Sequence, residues 1–274
     1  MIVHGFMSHS NASWVRDMTR AFLDWADVNV IAVDWSGGGN TWKYWRAVAN
    51  TRRVGADVTQ FIRQLLNITG ASVKDLHFVG HSLGAHICSY VSYHIGGVSR
   101  ITGHADFYPN GGMKQPGCFN RSNSIWSRLF PISPSKLQQA ICSHGRAYLL
   151  FTESLINNNC TFRAHSWNLT YEGVNSSLLA ACDRGASCAA MGIEAAGGRG
   201  LPRARGPYFA ITTEKEPYCP TEWERRHPRP DLLRDLREGF RIDRWLRPST
   251  TATPPPAFDA DDDRSEQFVN DAPV

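Results

Sequence analysis

The sequence predicts an α/β fold in which a mostly parallel sheet carries helices on both faces. Two observations lead to this prediction. Short apolar runs that fit buried strands alternate with longer segments whose apolar residues recur at helical spacing. Glycine or another turn signal stands between most of these segments. Because strand and helix alternate, successive strands have to run parallel, with the helices packed on the two faces of the sheet.

The predicted elements of the first hundred residues follow that alternation. Residues 28–35 form a β-branched apolar run that predicts a strand buried on both faces, and three consecutive glycines end it at residues 37–39. Residues 42–66 carry apolar side chains at helical spacing and predict a long amphipathic helix. Residues 76–80 predict the next short strand, and residues 83–95 predict another helix.

The second half of the chain is less regular, with a strand-like segment at residues 208–212. After Cys219, charge and proline dominate and apolar residues become sparse. We therefore predict one main domain over residues 1–219 and a charged, proline-containing tail over residues 220–274. The tail is expected to be helical near residues 232–245 and disordered beyond them.

Charge and hydropathy exclude two classes of function. The net charge of +4 comes from 29 basic and 25 acidic residues, and no block of one sign resembles a nucleic-acid-binding arm. No run of about 18 apolar residues occurs, so the sequence predicts no membrane-spanning helix. Any contact with lipid is expected to be peripheral, at a membrane or lipid-droplet surface.

Cysteines and glycosylation signals indicate an oxidising, extracellular compartment. The seven cysteines are not spaced as pairs of zinc ligands. Six Asn-x-Ser/Thr sequons begin at Asn11, Asn67, Asn120, Asn159, Asn168 and Asn175. The chain opens without the basic start and cleavage site of a signal peptide, so we expect an N-terminal stretch to be missing.

A G-x-S-x-G motif at Gly80–Gly84 lies between a predicted strand and a predicted helix. A sharp turn there would hold the hydroxyl of Ser82 above the sheet edge, and the amide of Leu83 at the helix start could donate to an oxyanion. The alternative is a chance glycine turn. The strand and helix on either side favour Ser82 as a nucleophile.

Two further parts of a serine mechanism have candidates. His4-Gly5-Phe6 is a strand end, and the amide of Phe6 would be the second oxyanion donor; the alternative is a core phenylalanine after a tight turn. A base must accept the serine proton, and ten histidines compete for that role. Sequence spacing does not distinguish among these histidines. His144 follows Cys142, however, and a covalent bond at Cys142 would fix the position of the loop that carries His144.

Several segments together carry a family resemblance. They are Val33-Asp-Trp35, Gly80-His-Ser-Leu-Gly-Ala-His86, His104-Ala-Asp-Phe-Tyr-Pro-Asn-Gly-Gly112, Gln115-Pro-Gly-Cys118, Cys142-Ser-His144, Cys182 and Met191-Gly192. Over residues 1 to 219 the chain resembles the pancreatic lipase family, and especially the arthropod lipases and phospholipases A1. The resemblance implies an α/β-hydrolase fold, Ser82 as nucleophile, His144 as general base, and Phe6 with Leu83 as oxyanion donors.

The sequence departs from that family at the acidic residue that orients the histidine of the catalytic triad. The family's acid follows an Ile-Thr-Gly strand end in a Gly-Leu-Asp-Pro segment, whereas here Ile101-Thr-Gly103 runs directly into His104-Ala-Asp106. The acid-bearing segment is absent, together with the carboxylates that hold a structural calcium in some members. We therefore expect no metal and no cofactor. Asp106 is the candidate acid, and a merely structural role is the alternative.

The resemblance also implies a disulfide between Cys118 and Cys142 that closes a flap. The interior of this segment contains the apolar residues Ile125, Trp126, Leu129, Phe130, Ile132, Leu137 and Ile141 among polar ones. An amphipathic flap of this kind would cover an apolar cleft in water and turn its apolar face toward lipid. The alternative is a surface loop with buried anchors. A flap of full length favours triacylglycerol over phospholipid.

The remaining cysteines are assigned from their positions. Cys182 and Cys188 are predicted to pair and close a small disulfide loop. Cys88 lies on the helix after Ser82 and is predicted to be a buried thiol. Pairing of Cys160 with Cys219 is left open.

The sequence thus predicts a secreted serine carboxylic ester hydrolase acting on lipids at an interface through an acyl-enzyme on Ser82. Triacylglycerol lipase and phospholipase A1 are both consistent with it. One alternative is a catalytically impaired lipid-binding homologue without the acid, and another is a truncated or mis-spliced lipase. No colipase is expected to bind, because residues 220–274 lack the alternating strands of the family's C-terminal β-sandwich.

Overall fold

The computed structural model describes residues 1–98, 105–118, 134–171, 173–174, 188–197 and 203–228, together with Leu232 and Arg234. All of them belong to the first of two compact units, Met1–Phe240. The second unit, Arg241–Val274, lies outside the described residues. The predicted boundary at residue 219 and the predicted disorder of the tail stay predictions.

The helices of the described residues are α1 (Ser13–Trp25), α2 (Ser36–Gly39), α3 (Tyr44–Thr69), α4 (Leu83–Ile95), α5 (Pro134–Ile156) and α6 (Glu222–Arg226). The strands are β1 (Ile2–Val3), β2 (Ala32–Val33), β3 (Val79–Gly80), β4 (Ala105–Pro109), β5 (Arg163–Ser166), β6 (Cys188–Ala190) and β7 (Gly206–Ala210). Of the helices in the described part of the chain, none is long and apolar enough to cross a membrane.

The strands form two sheets within the described ranges. The first has the order β2-β1-β3 and is entirely parallel, with Ile2 opposite both Ala32 and Val79. The second has the order β4-β7-β5-β6, in which β4 runs parallel to β7 and β5 runs antiparallel to its two neighbours. The predicted α/β class with parallel pairing is confirmed. The expected continuous sheet is divided between β3 and β4.

Helices cover both faces of the first sheet. Side chains alternate across a strand, and accordingly Ile2 packs with residues of α1 and α5 on one face. Val3 packs on the other face with residues of α3 and α4. This three-layer arrangement presents the carboxyl ends of β1 and β3 at a common edge, where the functional site lies.

Prediction and structure agree best for the long helices. The helix predicted at residues 83–95 is α4 with the same bounds, and the helix predicted at residues 42–66 is α3. The strand predicted at residues 28–35 contracts to β2, whose Ala32 is exposed. The prediction that this strand is buried on both faces was wrong because β2 lies at the edge of a three-stranded sheet.

The segment around His144 also differs from expectation. His144 was predicted in a loop pinned by Cys142, but both residues lie within the 23-residue helix α5. Leu150 and Leu155 of this helix are buried in two different hydrophobic clusters. Burial of apolar residues from successive turns stabilises the segment as a helix.

Candidate active site

Ser82 occupies the sharp turn that the sequence predicts between β3 and α4. Its backbone has φ +56° and ψ −125°, a combination that non-glycine residues seldom adopt. Such strain persists where the surrounding structure enforces it, and it is concentrated at functional sites. The turn lifts Ser82 away from the regular hydrogen bonding of the strand and places it directly before the amino end of α4.

Two glycines allow the backbone to pass close to this turn. A Cβ atom on Gly84 would lie 2.2 Å from the carbonyl oxygen of Val3. A Cβ atom on Gly5 would lie 2.8 Å from the Cβ of Ser82. The strand end at Gly5 is therefore packed directly against Ser82, as the predicted oxyanion arrangement requires.

Two backbone amides are available near Ser82. Leu83 is the first residue of α4, so the hydrogen bonds of the helix leave its amide unpaired. Phe6 follows Gly5, which contacts Ser82. Neither amide donates to another group among the described residues. Two donors beside one nucleophile suit the stabilisation of an oxyanion.

A buried histidine fixes the strand end that carries Phe6. Nδ1 of His4 lies 2.9 Å from the carbonyl oxygen of Gly5, and the backbone amide of Trp35 donates to its Nε2 over 3.1 Å. The indole N–H of Trp35 donates to the carbonyl oxygen of His4 over 2.7 Å. Since these bonds use both ring nitrogens of His4, the loop has one defined position.

Asp34 anchors the same loop from outside. Its carboxylate accepts hydrogen bonds from the backbone amide of Ser36 over 2.9 Å and from the amide and hydroxyl of Ser10. Hydrogen bonds from Ser36 and Ser10 hold the pKa of Asp34 well below its usual range. Asp34 and Trp35 belong to one of the segments that carry the family resemblance, but their sequence pattern predicted no role for them in the site.

His144 is brought next to the nucleophile turn through His81. Nε2 of His81 lies 3.2 Å from the carbonyl oxygen of His144, and the two imidazole centroids are 4.5 Å apart. His81 is the residue immediately before Ser82. No hydrogen bond joins the side chains of Ser82 and His144 among the described residues. The proposed base is thus adjacent to the turn but not bonded to the hydroxyl.

An aromatic group surrounds the His81 ring. Trp14 and Tyr148 stack with centroids 4.8 Å apart, and each makes an edge contact with His81. Burial in this group lowers the pKa of His81 to about 4. His81 is therefore neutral at neutral pH, and its ring packs against His144 without charge repulsion.

Asp106 lies on β4 with its side chain exposed. No carboxylate of a described residue lies within ion-pair distance of the His144 ring. The structure therefore brings together Ser82, Phe6, Leu83 and His144, but it does not join Asp106 to them by a hydrogen bond.

A cavity of about 560 Å³ separates the two sheets. Its walls include Gly80 and His81 at the end of β3, all of β4, and Tyr148 of α5. Asp106 is the one carboxylate among the described residues that line it. The cavity lies where the predicted sheet would have been continuous, and it connects the surroundings of His81 to Asp106.

Disulfides fix the segments around α5. Cys118 and Cys142 form one, so α5 is tied to the chain after β4 two residues before His144. Cys160 and Cys219 form another. The predicted flap falls mainly on residues 119–133, which lie outside the described residues.

Two further cysteines have distinct environments. Cys188 is disulfide-bonded, and its predicted partner Cys182 lies outside the described residues. Cys88 is a free, buried thiol, which confirms the prediction. Burial raises the pKa of Cys88 to about 12, so the thiol stays protonated and unreactive.

The site contains residues that sequence reasoning missed. Trp14, Tyr148 and His4 were not singled out, although His4 stands in the tripeptide that was quoted for Phe6. In the described part of the chain, no group of three or more His, Cys, Asp and Glu side chains could hold a metal ion. The expectation that the protein needs no metal stays a prediction.

The chain is similar in sequence to known proteins, and this similarity supports the family that the sequence motifs indicate. A family model described as Lipase matches residues 1–103 and 92–218. The chain is similar to lipase member H of Oryctolagus cuniculus, at 30% identity over 80% of this chain and 56% of that protein. It is also similar to pancreatic triacylglycerol lipase of Mus musculus, at 29% identity over 57% of this chain and 44% of that protein.

A third relative carries a different description. Inactive pancreatic lipase-related protein 1 of Homo sapiens is 30% identical over 57% of this chain and 44% of that protein. The chain spans about half the length of the curated relatives it matches. The alignment with the mouse protein has 209 positions. This number is larger than 57% of the 274 residues of this chain, so the alignment contains gaps in this chain.

Proposed function

The chain belongs to the lipase family, and we propose from this that it is a secreted serine carboxylic ester hydrolase that acts on lipids. The observation that carries the proposal is the strained turn at Ser82, which is flanked by two unpaired amides. Backbone strain of this kind is concentrated at functional sites, which supports Ser82 as the nucleophile.

The proposed reaction proceeds by acyl transfer. The hydroxyl oxygen of Ser82 attacks the ester carbonyl carbon while His144 accepts the hydroxyl proton. The amides of Phe6 and Leu83 donate to the oxyanion that forms. The tetrahedral intermediate collapses to an acyl-enzyme as the alcohol departs with the proton from His144. Water then attacks the carbonyl carbon of the acyl-enzyme while His144 accepts a proton from the water. The carboxylic acid is released as His144 returns this proton to the oxygen of Ser82.

Asp106 is the proposed third member of the triad. It is the carboxylate that shares a cavity with His81, the residue in contact with His144. Hydrogen bonds between catalytic groups are often long before substrate binds and shorten in the complex. On this proposal the carboxylate of Asp106 approaches His144 during turnover and stabilises the imidazolium.

The proposed substrates are triacylglycerols, with phospholipids cleaved at the A1 position as the second candidate class. One of the similar proteins, from Mus musculus, is a triacylglycerol lipase, which favours the first class. Secretion is supported by the two disulfides that the described residues contain and by the sequons. Lipid at an interface is the proposed partner, and no nucleic acid and no colipase are proposed.

A specific observation favours a second candidate function. No carboxylate pairs with His144 and no hydrogen bond links His144 with Ser82 among the described residues. A relative is described as inactive. The second candidate is therefore a lipid-binding homologue with little or no turnover.

Hydrolysis of a triacylglycerol emulsion tests the proposal directly. The purified chain is compared with Ser82→Ala, and a phosphatidylcholine emulsion is run in parallel to separate the two substrate classes. A rate well above that of Ser82→Ala supports the hydrolase. Equal rates for two folded proteins, as judged by circular dichroism, contradict the hydrolase and leave the lipid-binding function.

A further inference from the structure

An exposed aromatic cluster, defined as residues 42–45, lies at the start of α3. Trp42 is 83% exposed and Trp45 is 64% exposed. Their indole rings pack edge to face with centroids 6.5 Å apart. The folded chain thus exposes two adjacent indoles on one surface. Contiguous apolar surface of this kind marks an interaction site.

A basic side chain is part of the cluster. Nζ of Lys43 lies 4.8 Å from the ring centroid of Trp42 and 5.9 Å from that of Trp45. The sequence contains no acidic residue between Asp34 and Asp57, whereas four basic residues fall in this interval: Lys43, Arg46, Arg52 and Arg53. The cluster therefore combines apolar rings with positive charge.

The aromatic cluster is continuous with the candidate active site. The ring of Tyr44 makes an edge contact with the ring of Phe6, with centroids 5.1 Å apart. Phe6 carries one of the two proposed oxyanion amides. Whatever binds the aromatic cluster is therefore held beside the turn that carries Ser82.

We propose that the aromatic cluster docks the protein onto an anionic lipid surface. Indole rings are favoured at the boundary between headgroups and acyl chains, because the ring is apolar and its N–H stays hydrated. Lys43 and the arginines that follow it in sequence are attracted by the negative surface potential of anionic headgroups. Exposed indoles beside a basic stretch without acidic residues are the combination that suits an anionic lipid surface. The inference rests on the proposed function, because docking would serve the hydrolysis of lipids. Binding of the aromatic cluster to a lipid surface does not itself require turnover.

Vesicle flotation tests the docking surface without hydrolysis. The full chain carrying Ser82→Ala is mixed with phosphatidylcholine vesicles, with or without phosphatidylglycerol. We expect stronger binding to the phosphatidylglycerol vesicles, and a loss on the order of tenfold when Trp42→Ala and Trp45→Ala are combined. Lys43→Gln is expected to lower binding to the anionic vesicles by about fivefold, with a smaller effect on neutral ones.

Trp223→Ala is the matched control. Trp223 is 68% exposed but stands between Glu222 and Glu224, so its removal is expected to leave vesicle binding unchanged. Circular dichroism establishes that each variant is folded. Unchanged binding by the folded double variant overturns the proposal, and so does an equal loss in Trp223→Ala or the absence of binding to anionic vesicles.

Failure of the proposed function has a separate signature. If the chain with Ser82 intact hydrolyses emulsions no faster than Ser82→Ala while the vesicle results hold, the hydrolase fails and the docking surface stands. If hydrolysis is observed but the folded double variant binds vesicles as the parent does, the docking surface fails and the hydrolase stands.

Discussion

Nε2 of His81 faces the carbonyl oxygen of His144 at 3.2 Å, so the ring nitrogen must be the donor in this hydrogen bond. The two imidazole rings also contact each other in a tilted arrangement, with centroids 4.5 Å apart. Because His81 directly precedes Ser82, one residue couples the position of the proposed base to the nucleophile turn. The sequence motif identifies His81 only as the x of G-x-S-x-G.

Replacing His81 tests this coupling. His81→Ala removes the hydrogen bond and the ring contact, so the position of His144 relaxes. We expect kcat on a soluble short-chain ester to fall on the order of 100-fold, with a smaller change in KM, because misplacement of a catalytic group by about 1 Å has an effect of that size. Steady-state kinetics measure both constants.

His81→Gln is the conservative variant, since its amide can donate to the same carbonyl oxygen. Partial recovery of kcat by His81→Gln relative to His81→Ala is expected. An unchanged kcat in a folded His81→Ala protein contradicts a positioning role for His81.

His81 also predicts how stability depends on pH. Burial lowers its pKa from 6.5 to about 4 in the folded protein. Between these values the unfolded chain binds a proton that the folded chain does not, so the free energy of unfolding falls as the pH is lowered through this window. His81→Gln is expected to show a smaller fall between about pH 7 and about pH 4, measured by urea unfolding. Equal slopes for both proteins contradict the prediction.

Local sequence was sufficient to predict the turn at Ser82 and the helix after it. The glycines, the serine and the apolar helix face are all encoded within residues 80–95. The surroundings of His81 were not predictable in this way. Trp14 and Tyr148 are far apart in sequence, and they meet only because α1 and α5 pack on the same face of the first sheet.

The sequence pattern also did not predict that the strands are divided between two sheets. Periodicity predicts that a segment is a strand, but not which other strand it pairs with. The absence of an acid-bearing segment was visible in the sequence, but the cavity between β3 and β4 depends on tertiary packing.

The close approach of Gly84 to Val3 predicts a severe packing defect in Gly84→Ala. The added Cβ would lie 2.2 Å from a backbone carbonyl oxygen, which cannot move without displacing β1. We expect the free energy of unfolding to fall by more than about 3 kcal/mol, or no soluble protein to form. Gly37→Ala is the control, because a Cβ there meets nothing within 4 Å. Similar stability of the two variants contradicts the packing argument.

Glu153 predicts a further measurable effect on stability. Its buried carboxylate accepts hydrogen bonds from the amides of Tyr218 over 2.7 Å and Cys219 over 2.9 Å. Glu153→Ala leaves both amides unpaired, and each is expected to cost about 1–3 kcal/mol. Glu153→Gln keeps one acceptor oxygen, so a smaller loss is expected in urea unfolding. A Glu153→Ala protein as stable as the parent contradicts this assignment.

Asp106 provides the test of the proposed third member of the triad. If its carboxylate orients His144 during turnover, Asp106→Asn preserves the shape but loses the charge that stabilises the imidazolium. The expected loss is then about 10⁴-fold in kcat, with folding and vesicle binding retained. Asp24→Asn, at an exposed position of α1, is the matched control. If the two variants hydrolyse a soluble ester at the same rate as the parent, Asp106 is structural and His144 acts without its carboxylate. Such an enzyme would owe its rate to His144 and the oxyanion donors Phe6 and Leu83, and its kcat would be low from the outset.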